Sequence, residues 1–255
     1  MPVTKNLSAV IITFNEEQHI SRCIDSLAQV ADEILVVDSF STDTTKEICM
    51  SKGVRFLENT FEGHIEQKNF AANAASYDFV LSLDADEELS DELIKFILQE
   101  KKNFTSDAYK FNRLNNYCGQ WIKHCGWYPD KKIRLWNRQK GKWGGTNPHD
   151  KIILDKNTKV HYNNADIKHY TFQKLSEHVA QIHYFTTISA AAAFQKGKKA
   201  GVAKIIISPF AKFMRCYFLQ LGFLDGFFGF VICINNGYYT FLENLKLWEL
   251  HQKGT

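Results

Sequence analysis

The chain has 255 residues, of which 45% are hydrophobic and 23% are charged, as in one ordinary globular domain or one domain with an appendage. Its net charge of +3 is too small to indicate nucleic-acid binding. The six cysteines form no CxxC pair and no zinc-ligand spacing, which predicts reduced thiols in a cytosolic protein. We expect no signal peptide, and no stretch supplies the about 20 apolar residues of a membrane span.

Strand-like and helix-like segments alternate through about residue 102. Buried strands are predicted at residues 7–13, 33–38, 54–58 and 79–84, from short β-branched, apolar runs. Helices are predicted after an Asn15 cap, at residues 44–52, at residues 64–75 and after a Ser90 cap. This alternation predicts an α/β domain with a mostly parallel sheet and flanking helices.

Three of these strands end in polar residues. The first runs into Thr13-Phe14-Asn15, the second ends at Asp38, and the fourth ends in Asp84-Ala85-Asp86. In parallel sheets, ligands bind outside the carboxyl ends of the strands. We therefore expect the three ends to lie on one edge and to form a site.

Four carboxylates lie within the five residues 84–88, directly after an apolar strand. Such crowding is tolerable when a divalent cation neutralises it, and Mg²⁺ or Mn²⁺ takes carboxylate and phosphate oxygens as ligands. We assign this function to Asp84 and Asp86. The acids that follow are interpreted as the solvated start of a helix: Glu87, Glu88, Asp91 and Glu92.

The second half of the chain is less regular. Residues 109–150 are rich in aromatic and basic side chains, with a short strand predicted at residues 132–136, and a helix is predicted at residues 176–195. No acidic residue occurs from His178 to Leu224, whereas this stretch contains six basic residues: Lys196, Lys198, Lys199, Lys204, Lys212 and Arg215.

Several motifs together resemble a known family. The first half contains, in order, "AVIITFNEE", "EILVVDSFSTDTT", "EQKNFAANAA" and "FVLSLDADEEL". These resemble the nucleotide-sugar half of family 2 glycosyltransferases, which have the GT-A fold. The second half contains "NNYCGQWIKHCGWYPDKKIRLWNR", "WGGTNPHD", "IKHYTF" and "GFLDGFFGF", and is similar to the subgroup of lipopolysaccharide-core β-glucosyltransferases. That subgroup usually has His-Glu where this chain has His149-Asp150, an acid one methylene shorter.

The resemblance implies roles for the strand-end residues. Asp86 would hold the Mn²⁺ or Mg²⁺ ion that bridges the diphosphate of a sugar nucleotide, with Asp84 near the ribose or the water shell of the ion. Asp38 would accept a hydrogen bond from N3–H of uracil, although it could instead cap the following turn. The other expected nucleotide-sugar contacts are Thr13, Phe14, Glu16, Ala85 and Lys68; Asn15 is interpreted as a helix cap.

The resemblance also implies an acceptor side. Asp150 is the candidate general base of an inverting transfer, with an ordinary loop carboxylate as the alternative. His169 matches a histidine that many GT-A enzymes use as a metal ligand, although a lone histidine is usually not one. We expect the acceptor to be bound by Trp121, Trp127 and Arg134, and the alternative for Lys68 is a solvated lysine.

The leading hypothesis is an inverting glycosyltransferase that uses a nucleotide sugar, most simply a UDP-sugar, and a lipid-linked glycan acceptor of the cell envelope. One alternative is a phosphatase that begins with Asp-x-Asp on a strand, but Glu88 stands where its motif has Thr or Val. The other alternative is a non-catalytic protein that binds sugar nucleotides or glycans.

We expect a catalytic domain at residues 1–172 and a helical, aromatic-rich extension at residues 173–255. The extension could be core, a homodimer interface, or a membrane-surface segment whose lysines meet anionic lipid. We favour the last, which predicts a cytoplasmic protein that is peripheral on the inner face of the membrane.

Overall fold

The computed structural model describes residues 5–146 and 149–253. It divides into two compact units. The first contains Met1–Arg113 and Asp130–His169, and the second contains Leu114–Pro129 and Tyr170–Thr255. Residues 114–129 therefore group with the C-terminal helices. The predicted division into residues 1–172 and 173–255 places them in the catalytic domain instead.

The first unit is built on a mixed sheet flanked by helices. The strands of this sheet are β1 (Leu7–Thr13), β2 (Glu33–Asp38), β3 (Arg55–Glu58), β4 (Phe79–Asp84), β5 (Glu87–Leu89), β6 (Ala108–Tyr117), β8 (Asp130–Asn137) and β11 (Val160–Phe172). The last residues of β6 and β11 belong to the second unit, as does β7 (Gln120–Ile122), which pairs with the end of β6. The order is β3-β2-β1-β4-β8-β6-β11-β5. The first four strands are parallel, whereas β8 is antiparallel to β4 and β6, and β5 is antiparallel to β11. A separate two-stranded sheet contains β9 (Gly141–Thr146) and β10 (His149–Leu154).

The central strand β1 shows why the predicted strand ends meet. Its residues Ile12 and Thr13 lie in register with Asp84 of β4 and Asp38 of β2, respectively. Because all three strands run in the same direction, their polar ends lie at one edge of the sheet. The prediction of a shared edge is confirmed.

Four helices flank this sheet: α1 (Ile20–Leu27), α2 (Thr45–Ser51), α3 (His64–Ala74) and α4 (Asp91–Glu100). Apolar side chains of β1 alternate between the two faces. Leu7 and Ile11 join one buried cluster, and Val10 joins the other. This alternation follows from the two-residue period of a strand, and burial on both faces confirms the predicted type of sheet.

Two sequence interpretations are wrong. Asn15 is not a helix cap, because α1 begins at Ile20 and Asn15 has a left-handed φ of 54°. Its side-chain oxygen instead accepts a hydrogen bond from the Thr42 backbone N–H at 2.8 Å. Glu87 is not part of a solvated helix start, since it lies in β5, pairs with β11 and is 1% exposed. The predicted Ser90 cap of α4 is confirmed by a hydrogen bond from the Leu93 N–H.

The second unit is mostly helical, as predicted for the C-terminal part. Its helices are α5 (Leu175–Gln195), α6 (Val202–Met214) and α7 (Gly226–Lys253), with a π-helical turn (Arg215–Leu219) and a 3-10 turn (Gly222–Asp225) between the last two. Within the described residues, no single helix is long and apolar enough to cross a bilayer. Val202–Leu219 and Gly222–Gln252 meet those criteria only as a pair bent by 74°.

Candidate active site at the carboxyl edge of the sheet

The end of β4 brings two predicted metal ligands together. The carboxylate of Asp86 lies 3.0 Å from Nε2 of His169. Pairing of β5 with β11 places His169 opposite Glu87, one residue beyond Asp86, which explains this contact between distant parts of the chain. Burial alone would raise the pKa of Asp86, but the charge and hydrogen bond of His169 lower it. The pair thus offers an ionised oxygen ligand beside an imidazole.

Arg134 lies between two acids of the same edge. Its guanidinium is 2.8 Å from Asp84 and 2.6 Å from Glu87, and the residue is 3% exposed. Burial would raise the pKa of Asp84, but the charges of Arg134 and Lys68 hold it well below its ordinary value. Arg134 was predicted to bind the acceptor. The structure shows that it fixes the acidic strand end, and its contact with an acceptor stays a prediction.

Lys68 of α3 links the strand end to the candidate base. Its ammonium lies 2.8 Å from Asp84 and 2.8 Å from Asp150, and 4.5 Å from the ring centroid of Trp143. With 4% exposure, Lys68 is not a solvated lysine. Asp150 is not in a loop, since it lies in β10 opposite Gly145 of β9. The preceding Asn147 and Pro148 of the "NPHD" motif lie outside the described residues.

A cavity of about 630 Å³ opens beside these groups. Seven basic residues contribute to its lining, against two acids, Asp84 and Asp150. The basic ones are Lys68, Lys110, Arg113, Lys131, Lys132, Arg134 and Lys151. A concave surface with this excess of positive charge attracts anionic ligands such as phosphates.

The ends of β1 and β2 carry the remaining predicted nucleotide contacts. Thr13 is buried, and its hydroxyl has no hydrogen-bond partner among the described residues. Phe14 is exposed, and Glu16 pairs with His19 at 2.7 Å. Asp38 is buried and accepts two hydrogen bonds from Ser41, one from its N–H and one from its hydroxyl. The turn-capping alternative for Asp38 is therefore present, and a carboxylate has lone pairs left for a further donor.

The other residues assigned to the site have separate surroundings. Ala85 is buried between the two aspartates. In the second unit, Trp121 lies edge-on to Tyr170 at 5.3 Å, and Trp127 lies edge-on to Tyr117 at 5.7 Å. The assignment of both tryptophans to acceptor binding stays a prediction.

Sequence reasoning missed the role of Glu87 and the link through Lys68. Glu87 and Arg134 are 47 residues apart, and Lys68 and Asp150 are 82 apart. A local pattern cannot report such pairs. The one available signal was the two-residue spacing of Leu83, Ala85 and Leu89, which in an extended chain would place Glu87 on the same face as these apolar residues.

A parallel α/β sheet with an Asp-x-Asp at its carboxyl edge, extended by antiparallel strands that return a histidine to that edge, defines a GT-A glycosyltransferase. The Glycosyl transferase family 2 model matches residues 8–161. The chain belongs to glycosyl transferase family 2, and both the predicted family and the predicted fold class are confirmed. Membership of this family favours a transferase over the phosphatase alternative.

Curated relatives match nearly the whole chain, and two of them represent the range. An uncharacterised glycosyltransferase of Rickettsia typhi is 31% identical, over 98% of this chain and 89% of the relative. The lipopolysaccharide core biosynthesis glycosyltransferase LpsC of Rhizobium meliloti is 27% identical, over 96% of this chain and 93% of the relative.

Two solved structures are also similar. TarS 1–349 of S. aureus in complex with UDP-GlcNAc has a TM-score of 0.48 and 16% identity, over 98% of this chain and 92% of that one. Glucosyl-3-phosphoglycerate synthase of Mycobacterium tuberculosis, in complex with Mn²⁺, UDP and phosphoglyceric acid, has a TM-score of 0.37 and 22% identity, over 44% of each chain.

Proposed function

We propose that this glycosyltransferase is metal-dependent and inverting, and that it transfers a sugar from a UDP-sugar to a lipid-linked glycan of the cell envelope, such as lipopolysaccharide core. The ion-pair chain Asp84–Lys68–Asp150 is the observation that carries the proposal, because it joins the donor edge of the sheet to a candidate base. The similarity to LpsC supports the class of acceptor.

The Asp86–His169 pair fits a divalent cation. One carboxylate oxygen and one imidazole nitrogen lie 3.0 Å apart, and both side chains are partly open to solvent. Oxygen and nitrogen donors suit Mn²⁺, and Mg²⁺ would use Asp86 with phosphate and water oxygens. When bound, the ion would supply positive charge against the nucleoside diphosphate leaving group.

The side chains of this chain would contribute the rest of the reaction. An acceptor oxygen forms the new bond to the anomeric carbon while the bond from that carbon to the diphosphate breaks, with inversion. Asp150 would take the acceptor proton. Lys68 holds Asp150 before substrate binds, and the diphosphate would compete for its ammonium and so free the carboxylate.

Calorimetry with UDP in the presence and absence of Mn²⁺ tests the metal site. We expect Asp86→Asn to lose the Mn²⁺-dependent part of UDP affinity, while Asp91→Asn, an exposed acid in the first turn of α4, keeps it. Unchanged metal-dependent affinity in Asp86→Asn would refute the assignment.

Release of radiolabelled sugar from a nucleotide sugar, even by slow hydrolysis, separates an enzyme from a non-catalytic binding protein. A thermal-shift panel of UDP-, GDP- and dTDP-sugars identifies the base, because a ligand that binds the native state raises its stability.

The cellular location is a further part of the proposal: a cytoplasmic protein, peripheral on the inner face of the membrane. Six basic side chains between residues 196 and 215 are exposed, and no acid lies near them in sequence. Basic residues near an anionic bilayer each contribute about 1 kcal/mol. Replacing Lys198, Lys199 and Lys204 with Gln should therefore weaken low-salt binding to anionic vesicles about 100-fold.

The matched control removes three exposed lysines from the first unit, Lys95, Lys102 and Lys156. Equal losses in both triple variants would indicate a general charge effect and would contradict a membrane-facing basic surface.

A further inference from the structure

The hairpin of α6 and α7 exposes apolar side chains around its bend, which we define as residues 216–230. Leu219 is 80% exposed and Phe227 is 69% exposed, and Phe218, Phe223, Leu224 and Phe230 are also exposed. Exposed apolar patches of this kind mark interaction sites.

Polar side chains of the same hairpin point inward. Asp225 is buried and accepts hydrogen bonds from the backbone and ring of His124, at 2.7 and 2.8 Å. Asn244 is buried and donates to Ser208 at 3.0 Å. A helix in water normally buries its apolar stripe and exposes its polar side chains. This hairpin buries Cys216, Ile232 and Cys233, but it also exposes large apolar side chains around its bend and buries two polar ones.

Charge divides the hairpin into a basic part and a neutral bend. Lys212 and Arg215 are the last basic residues before the bend, and residues 216–242 contain one charged residue, the buried Asp225. Leu219 follows Arg215 by four residues, about 6 Å along a helix. A bilayer has the same order, with anionic headgroups above hydrocarbon.

The backbone of the bend is hydrogen-bonded, which entry into hydrocarbon requires. The N–H groups of Gln220, Leu221 and Leu224 donate to Arg215, Phe218 and Leu221, and the Gln220 carbonyl accepts from Cys125. The Gln220 side chain packs against Gly126. A Cβ atom at position 126 would lie 2.7 Å from the side-chain amide of Gln220, so this contact needs glycine.

We propose that the bend, residues 216–230, inserts into the acyl-chain region of one leaflet, with Lys212 and Arg215 at the level of the lipid phosphates. This inference rests on the proposed membrane location and adds hydrophobic insertion to it. After the bend the chain runs back along α6, since Asn244 of α7 donates to Ser208 of α6, as in a re-entrant segment.

A fluorescent probe at Leu219 tests the insertion directly. Cys118 is the half-buried thiol and the other five are buried, so Leu219→Cys in a Cys118→Ser background can be labelled selectively with NBD. With phosphatidylglycerol vesicles, we expect a blue shift and stronger quenching by an acyl-chain spin label than by a headgroup label. Met50→Cys, an exposed position on α2, is the control and should show neither effect.

Salt separates insertion from surface attraction. At about 1 M NaCl the Debye length is about 3 Å, so binding by charge alone is lost. We expect part of the wild-type protein to stay with the vesicles. Leu219→Asp/Phe227→Asp should lose at least about 10-fold in affinity even at low salt, because a charge at each position must be desolvated. Met50→Asp/Leu98→Asp is the matched control on the other unit.

Two results would overturn the insertion. Complete release at high salt with an unshifted probe would leave only surface binding. A dimer without lipid, in which the Leu219 probe is already shifted, would show that a second copy covers the bend. Since UDP binding is measured separately, either result leaves the proposed transferase function unaffected.

A separate observation concerns three buried thiols of the second unit. Cys125, Cys216 and Cys233 come from distant segments, and their sulfur atoms all lie within 4.8 Å of one another. Cys233 Sγ is 2.9 Å from Cys216 Sγ and 3.8 Å from Cys125 Sγ. Three thiolates bound to one Zn²⁺ at about 2.3 Å would lie about 3.8 Å apart. The Cys125–Cys233 distance matches this value, and the Cys216–Cys233 pair would open on metal binding.

The geometry points to a site for a thiophilic d¹⁰ ion, Zn²⁺ or Cu⁺, that ties the residue 123–126 segment to the helical hairpin. Thiolate ligands select such ions. Asp225, whose carboxylate lies 3.9 Å from Cys125 Sγ, is a candidate fourth ligand for Zn²⁺. Sequence spacing did not predict this cluster, because its members are 91 and 17 residues apart.

Metal analysis after loading with Zn²⁺ or, without oxygen, with Cu⁺ tests this site and distinguishes the two ions. We expect one ion per chain and a thermal midpoint that falls with a chelator. Both effects should be lost in Cys125→Ser and kept in Cys49→Ser, a buried thiol of the first unit. Two results would overturn the site. One is protein that stays metal-free after loading and in which Cys125, Cys216 and Cys233 all titrate as free thiols. The other is a Cys216–Cys233 disulfide found by mass spectrometry.

Discussion

The two units place their charges in opposite ways. In the first unit, Arg134, Glu87 and Lys68 are at most 4% exposed and lie in ion pairs at the edge of the sheet. In the second unit, basic side chains are exposed beside exposed Phe and Leu, and the buried Asp225 is held by backbone N–H groups and His124. Buried ion pairs seldom stabilise a protein more than apolar packing would, so their presence at a strand end indicates a site built for charged ligands. The exposed apolar bend indicates a partner that is itself apolar.

The largest expected effect is on catalysis, and it shows whether the charged edge of the first unit contains the general base. Removing a general base typically costs about 10²–10⁴ in rate. Asp150→Asn should lose turnover of a radiolabelled UDP-sugar by that factor while keeping its UDP affinity. Asp155→Asn, an exposed acid just beyond β10, should behave as wild type. A variant with more than about a tenth of wild-type kcat would indicate another base.

The next effect concerns stability at the same edge. Removing one partner of a buried ion pair costs about 3–5 kcal/mol, because the other charge is left uncompensated. Glu87→Ala should lose about 3 kcal/mol of its free energy of unfolding in urea, the lower end of that range, because Arg134 keeps its contact with Asp84 while the Asp84 N–H also loses its acceptor. Glu88→Ala, whose partner Lys168 is 33% exposed, should lose less than about 1 kcal/mol. Equal losses would mean that Arg134 finds other compensation.

The contrast between Glu87 and Glu88 shows where sequence reasoning ends. The strands β1, β2 and β4 were predictable because their signal is local, a run of apolar residues that ends in a polar one. The shared edge followed from the rule for parallel strands. Asp86 and His169 were both assigned, but their contact depends on the short strand β5, which resembles a helix start in sequence. Glu87 and Arg134 were not connected because nothing local couples residues 47 positions apart.

The third prediction concerns how the stability of the protein depends on pH through His178, a buried histidine of the second unit. His178 packs against Phe172 and contacts the Tyr117 hydroxyl at 2.9 Å, and burial lowers its pKa to about 4. The unfolded chain binds this proton near pH 6.5, so stability should fall as pH drops from about 6.5 to about 4 and then level off for this group. The total is at most about 3 kcal/mol.

The measurement is the free energy of unfolding against pH in three proteins. His178→Gln should remove this part of the slope, although carboxylates still contribute below about pH 5. His183→Gln, an exposed histidine on the same helix α5, should keep the wild-type slope. Parallel curves for wild type and His178→Gln would show that His178 is protonated as easily in the native state as in the unfolded chain.

The smallest expected effect is on nucleotide affinity. It shows whether the buried carboxylate of Asp38 selects the nucleobase or only stabilises a turn. Asp38 accepts two hydrogen bonds from Ser41, so Asp38→Ala will disturb the turn whatever else it does. A hydrogen bond to a charged group contributes about 1.5–3 kcal/mol. If Asp38 also accepts a hydrogen bond from uracil N3–H, Asp38→Ala should lower the affinity for UDP about 10-fold more than the affinity for CDP, because cytosine has no N3–H.

Ser41→Ala separates the two roles of Asp38, since it removes the hydroxyl donor and leaves the carboxylate. That variant should weaken UDP and CDP equally by calorimetry. Equal losses of UDP and CDP affinity in Asp38→Ala itself would show that the carboxylate acts on the turn alone and that the base is selected elsewhere.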